Sequence, residues 1–207
     1  MWSWATGSEA DAIQAEREYG WECARQFATQ FSGRAPAAAE ELVKAVGSRL
    51  AAAVKNPTRE FDFRVVRAGT ANAYALPGGF IFVLEPLVDL CAQDPDAVAF
   101  LLAHEIAHVT LGHARSQLTA ATFLNAVVAR LSGAGLLLRE LLGKGYSREL
   151  ELEADREGAR LAAAAGFDPR AAARVLQRLA LVSGEHAGLA EYFASHPPFA
   201  DRIKKLA

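Results

Sequence analysis

One run constrains this chain more than any other: DPDAVAFLLAHEIAHVTLGHARSQ, from Asp94 to Gln117. Asp94 is a good N-cap and Pro95 suits the first helical position, so the spacing predicts a helix through the whole run. Val98, Phe100, Leu101, Leu102, Ile106, Val109 and Leu111 make that helix apolar on most of its surface, which is the mark of a central buried helix. Set into it are His104, Glu105 and His108. Burying three ionisable side chains is costly unless they are paired or bound to a metal. Residues at i and i+4 lie on one helical face, so the two imidazoles can bind one zinc ion with Glu105 beside it. The plainer alternative is a pair of satisfied core histidines with Glu105 as their counter-ion.

The rest of the chain supplies a small sheet and more helices. Glu9 to Gln30 is helix-like, and Gly33 breaks it. Pro36 suits the first turn of a second helix reaching about Val54. Phe61 to Arg67 alternates as a half-buried strand, with Phe61, Phe63 and Val65 on one face. Ala73–Leu76 and Phe80–Leu84 are short strands, and the Pro77-Gly78-Gly79 turn between them signals a hairpin or sheet edge. Ser147 caps a helix that Gly166 ends, Asp168-Pro169 starts another to about Val182, and a short helix closes the chain from Pro197. With no internal repeat and no linker, residues 1–207 read as a single α+β domain, mostly helical, with residues 1–8 as a disordered or tag-like leader.

A net charge of −2 excludes a general nucleic-acid binder, which needs a basic stripe to neutralise phosphates. The one basic cluster, Arg202, Lys204 and Lys205, reads as a solvated helix end. Cys23 and Cys91 sit among apolar neighbours and read as free, buried thiols. Leu118 to Leu142 is long and apolar, but Arg130, Arg139 and Glu140 leave no clean membrane-spanning window. It reads as a buried hairpin or an apolar, membrane-proximal lid over a cleft. No signal peptide is visible, so the expected compartment is the cytoplasm, or the periplasm or a membrane surface if an export signal precedes the sequence. Oligomeric state leaves no trace in the sequence.

A catalytic zinc needs a third protein ligand and one open position. His113 is near in sequence, yet in a continuing helix it points away from His104 and His108, so it reads as a helix-surface or outer-sphere residue. The better source is SRELELEAD, Ser147 to Asp155. There Glu151 and Asp155 share a helical face, as a ligand and its supporting acceptor would. By itself that run favours a solvated, charge-rich first turn.

Together, HEIAHV and YSRELELEAD resemble the gluzincin metallopeptidases of the CaaX prenyl protease, HtpX and BepA type, metallopeptidase family forty-eight. That resemblance implies a zincin-type fold with HExxH on its central helix, Glu151 as third zinc ligand and Glu105 as general base. Asn72 to Gly79 resembles the substrate-side strand and turn of the soluble bacterial branch. Ser195-His196-Pro197-Pro198 with Asp201-Arg202-Ile203 resembles its C-terminal motif. The resemblance is read as one to the branch without the helical-repeat partner domain of the BepA-like members, and no clear transmembrane helix like those of the membrane-embedded members is expected. By resemblance, one Zn2+ is expected per chain and a polypeptide is the expected substrate, bound extended along Ala73–Leu76. His196 is implied as a catalytic oxyanion donor or a resting fourth ligand. Arg202 and Asn72 are implied as substrate or oxyanion contacts, with pairing to Asp201 or Glu191 as the ordinary alternative for Arg202. A rival expectation is a zinc-holding, chaperone-like binder.

Overall fold

The computed structural model describes residues 8–92, 94–113, 145–182, 189–196 and Arg202. Chain order within them is α1 (Glu9–Ala28), α2 (Ala37–Ala53), β1 (Asp62–Val66), β2 (Ala73–Leu76), a 3-10 turn (Pro77–Gly79), β3 (Phe80–Leu84), α3 (Glu85–Leu90), α4 (Pro95–Thr110), α5 (Arg148–Ala164), α6 (Ala171–Val182) and α7 (Ala190–Ser195). This is the α+β architecture expected, mostly helical around one small sheet. The apolar stretch 118–142 and, Arg202 excepted, the closing helix over 197–206 lie outside the described residues. Among the described residues, no helix is long and apolar enough to cross a membrane.

Ser8, grouped with the leader above, is in fact the N-cap of α1. Its hydroxyl accepts from the Asp11 N–H at 3.3 Å, and the Asp11 carboxylate accepts the Ser8 N–H at 2.8 Å. These two bonds form a capping box that satisfies two otherwise orphaned donors. Pro36 caps α2 from just outside rather than opening its first turn.

Sheet order is β1-β3-β2, with β1 parallel and β2 antiparallel to the central β3. All five residues of β3 are buried, as expected of a strand covered on both faces. Its side chains alternate between two packing layers. Ile81 and Val83 join Val43, Val46 and Leu50 of α2 and the apolar side chains of α4. Phe80, Phe82 and Leu84 meet Cys23, Ala24 and Phe27 of α1. Phe27 stands edge-on to Phe82, ring centres 4.7 Å apart. The helix α1 also grips the 3-10 turn: the Glu16 carboxylate accepts the Gly78 N–H at 3.1 Å, and Arg17 donates to the Gly78 carbonyl at 2.6 Å. The sheet is thus held from both sides, with β2 at one edge. Cys23 and Cys91 are free and buried, as read from their neighbours.

Every residue of α4 from Ala97 to Val109 is buried, which bears out its central position. The helix nevertheless ends at Thr110, short of the expected run to Gln117. The reason is Gly112, whose φ of 74° lies in the left-handed region where a right-handed helix cannot continue. Across α4 packs α5, with Glu151, Ala154, Asp155, Gly158, Leu161 and Ala162 on its buried face. The two helices meet closely at Gly158, where an added Cβ would lie 2.9 Å from the His104 backbone nitrogen. The glycine is what lets α5 lie low enough for its carboxylates to reach the histidines of α4.

Candidate metal centre

His104 and His108 lie one turn apart on α4 with their Nε2 atoms 3.0 Å from each other. Glu151, in the first turn of α5, faces both: one carboxylate oxygen is 3.6 Å from His104 Nε2 and the other 3.4 Å from His108 Nε2. Ser147 fixes the start of α5 by accepting the Leu150 N–H at 3.4 Å. His196, just after α7, completes the group, with Nδ1 3.1 Å from Glu151 and Nε2 3.6 Å from Glu105. Ligand-capable atoms of His104, His108, Glu151 and His196 all lie within 4.8 Å of one another, and all four residues are buried.

The set fits a zinc ion chemically. Imidazole and carboxylate are ordinary zinc donors, and both histidines turn the same nitrogen inward. The outward nitrogens have supports. His104 Nδ1 lies 3.0 Å from Asp155 Oδ1, an ion-pair approach although the angle is not that of an aligned hydrogen bond. His108 Nδ1 lies 3.0 Å from His113 Nδ1. Acceptors at these positions orient a ligating imidazole.

Arg202 is buried, not part of a solvated helix end. Its guanidinium donates twice to Asp155, both at 2.7 Å, and approaches Glu151 at 2.9 Å. Its charge is therefore committed to the carboxylates that surround the histidines. Asn72 is also buried; its side chain accepts the Ala73 N–H at 2.9 Å and its amide donates to the Ser195 hydroxyl at 3.3 Å. The start of the edge strand is thereby linked to the residue before His196.

Electrostatics favour a neutral imidazole at His108 and an ionised carboxylate at Glu151, the forms that bind a metal, and hold His196 toward its charged form. Burial pushes His108 down to about 3, so it is a neutral donor at pH 7. Burial also works to raise the Glu151 carboxyl, but His196, His108 and His104 outweigh it and hold it well below the usual carboxylate range. The opposite balance raises His196: desolvation opposes its charge, and Glu151 with Glu105 overcomes that.

One neighbour escaped the sequence reading. Tyr146 stacks almost flat on His108, ring centres 3.9 Å apart at 16°. Its one hint was an aromatic residue directly before an N-cap, a position that often packs back. His113 is not on a helix surface, because the turn at Gly112 folds it inward until only 4% is exposed. Its reading as an outer-sphere residue matches the contact with His108.

Comparison with known proteins gives one consistent answer. The sequence pattern of peptidase family M48 matches residues 37–207. The chain is 33% identical over 155 residues to the mitochondrial metalloendopeptidase OMA1 of Schizosaccharomyces pombe, covering 71% of this chain and 46% of that protein. It is 34% identical over 177 residues to a putative beta-barrel assembly-enhancing protease of Vibrio cholerae, covering 76% of this chain and 34% of that one. To the metalloprotease LoiP of Escherichia coli it is 29% identical over 157 residues, covering 70% and 61%. The chain thus spans less than two thirds of the length of each of these relatives.

Proposed function

The chain belongs to peptidase family M48, and from that premise we propose that it is a zinc-dependent endopeptidase acting on extended or unfolded polypeptide segments. The observation that carries this reading is the convergence of His104, His108 and Glu151 in one buried group with Glu105 on the same helix. His104, His108 and Glu151 would hold the ion. When bound, zinc would supply Lewis acidity that makes a water nucleophilic near neutral pH and polarises the scissile carbonyl.

The protein's own groups do the rest. Glu105 takes the proton of the attacking water and returns it to the leaving amine. His196, facing both Glu105 and Glu151, donates to the carbonyl oxygen as that oxygen gains negative charge. Asp155 orients His104, and Arg202 holds Asp155 and Glu151 in place rather than serving as the oxyanion contact. The edge strand β2 offers backbone groups to an extended peptide, and Asn72 stands at its start.

His196 also supports a second reading, a zinc-holding binder with a closed four-ligand site. Unfolded casein incubated with zinc-loaded wild type and Glu105→Gln separates the two. An enzyme loses roughly 10²- to 10⁴-fold in rate on losing its general base, with zinc content unchanged. Equal cleavage by both proteins would remove Glu105 from the mechanism, and no cleavage by wild type would favour the binder.

A further inference from the structure

His104 and His108 are equivalent toward the centre of the site and different away from it. Both present Nε2 inward, so a metal held there leaves each ring its proton on Nδ1, to be donated outward. For His104 the outward group is the carboxylate of Asp155. For His108 it is a second imidazole, His113, at 3.0 Å between Nδ1 atoms. A neutral imidazole accepts at one nitrogen and donates from the other. If His113 accepts at Nδ1, its proton sits on Nε2, and that atom lies 3.6 Å from the carboxylate of Glu153. The separation is somewhat longer than a direct hydrogen bond. The Glu153 side chain is 48% exposed, so this line of groups runs from the site to the surface.

The backbone is built for the arrangement. Gly112, at φ 74°, turns the chain so that His113 comes back under α4. Tyr146 lies flat on His108 and has its ring centre 6.0 Å from that of His113, walling the pair on a further side.

We propose that His113 is a positioning residue for His108: it accepts the Nδ1 proton of that ligand and hands the orientation on to Glu153. The proposal rests on His104, His108 and Glu151 being zinc ligands. It implies that the two imidazoles are supported unequally, one by a buried carboxylate and one by a neutral ring backed by a half-exposed carboxylate.

The test is zinc affinity of the full chain, by chelator competition, for wild type, His113→Phe, His113→Asn and Glu153→Gln, with the melting temperature of each metal-free protein. Phe keeps a ring of similar size but has no acceptor; Asn places an acceptor oxygen near where Nδ1 stands. Loss of an outer-sphere partner commonly weakens metal binding roughly 10- to 100-fold, and that is expected for His113→Phe. His113→Asn should recover to within about threefold of wild type, because an acceptor of like position is restored. Glu153→Gln should weaken binding about two- to fivefold, as its half-exposed charge is screened. Equal affinity for the Phe and Asn variants, while wild type binds zinc, overturns the role of His113. Should the Phe variant fail to fold, Asn binding as weakly as a His108→Ala protein overturns it instead. Wild type that takes up no zinc brings down the metal reading and this inference together.

Discussion

Glu105 and His196 face each other at 3.6 Å, and the distance sets what either can do alone. If His196 only fills the position that substrate needs, His196→Ala should raise activity. Because a donor aimed at developing charge is commonly worth a few kcal/mol, the expected outcome is a fall of roughly 10²-fold in kcat with zinc content unchanged. Unchanged rate and unchanged affinity would reduce His196 to a packing residue before two prolines. The thiols give a second check at this scale. Burial pushes the Cys91 thiol up to about 12 and raises Cys23 as well, and the thiolate is the reactive form. With both thiols protonated and covered at pH 8, a thiol reagent should label neither cysteine of the native protein and both after denaturation. Rapid labelling of Cys91 in the native state would contradict its place beside Leu87 and Val98.

At the scale of elements, helix ends marked by side-chain chemistry were legible and those set by tertiary contact were not. Asp94 with Pro95, Ser147 and Gly166 carry their own boundary signals, so α4 and α5 start where the sequence says. The end of α4 was missed, because a lone Gly112 among apolar residues does not announce a positive φ. Helices α3 and α7 span 6 residues each, too short to establish a period. The parallel pairing of β1 with β3 depends on what covers the sheet, which no local pattern records. The HExxH face was readable because i, i+4 spacing is intrinsic to a helix; Tyr146 and the inward His113 depend on contacts between elements. Gly158 is where such a contact can be tested. Alanine normally gains roughly 0.5–1 kcal/mol over glycine inside a helix. Here its Cβ would meet His104 backbone at 2.9 Å, and overpacking of that kind costs roughly 1–3 kcal/mol. The clash should win, so Gly158→Ala is expected to lower the melting temperature by a few degrees and weaken zinc binding with it. A more stable variant would mean that α5 can shift away without disturbing the ligands.

For the whole molecule, the buried group His104, His108, Glu151 and His196 ties α4 to α5 and to the segment after α7. A ligand that binds only the folded state at 100 to 1,000 times its dissociation constant stabilises it by about 2.7 to 4.1 kcal/mol. At roughly 2–4 °C per kcal/mol for a domain of this size, stripping zinc from the proposed site should lower the melting temperature by roughly 5–15 °C. Calorimetry before and after chelation, with zinc added back, measures it; coincident transitions would mean that the site holds no ion. Direct contact between α4 and α5 at Gly158 has a consequence for how such a chain tolerates change. The close approach at Gly158 sets how near the carboxylates of α5 come to the histidines of α4. Position 158 therefore works as a spacer: any side chain placed there would displace Glu151 and Asp155 together from His104 and His108.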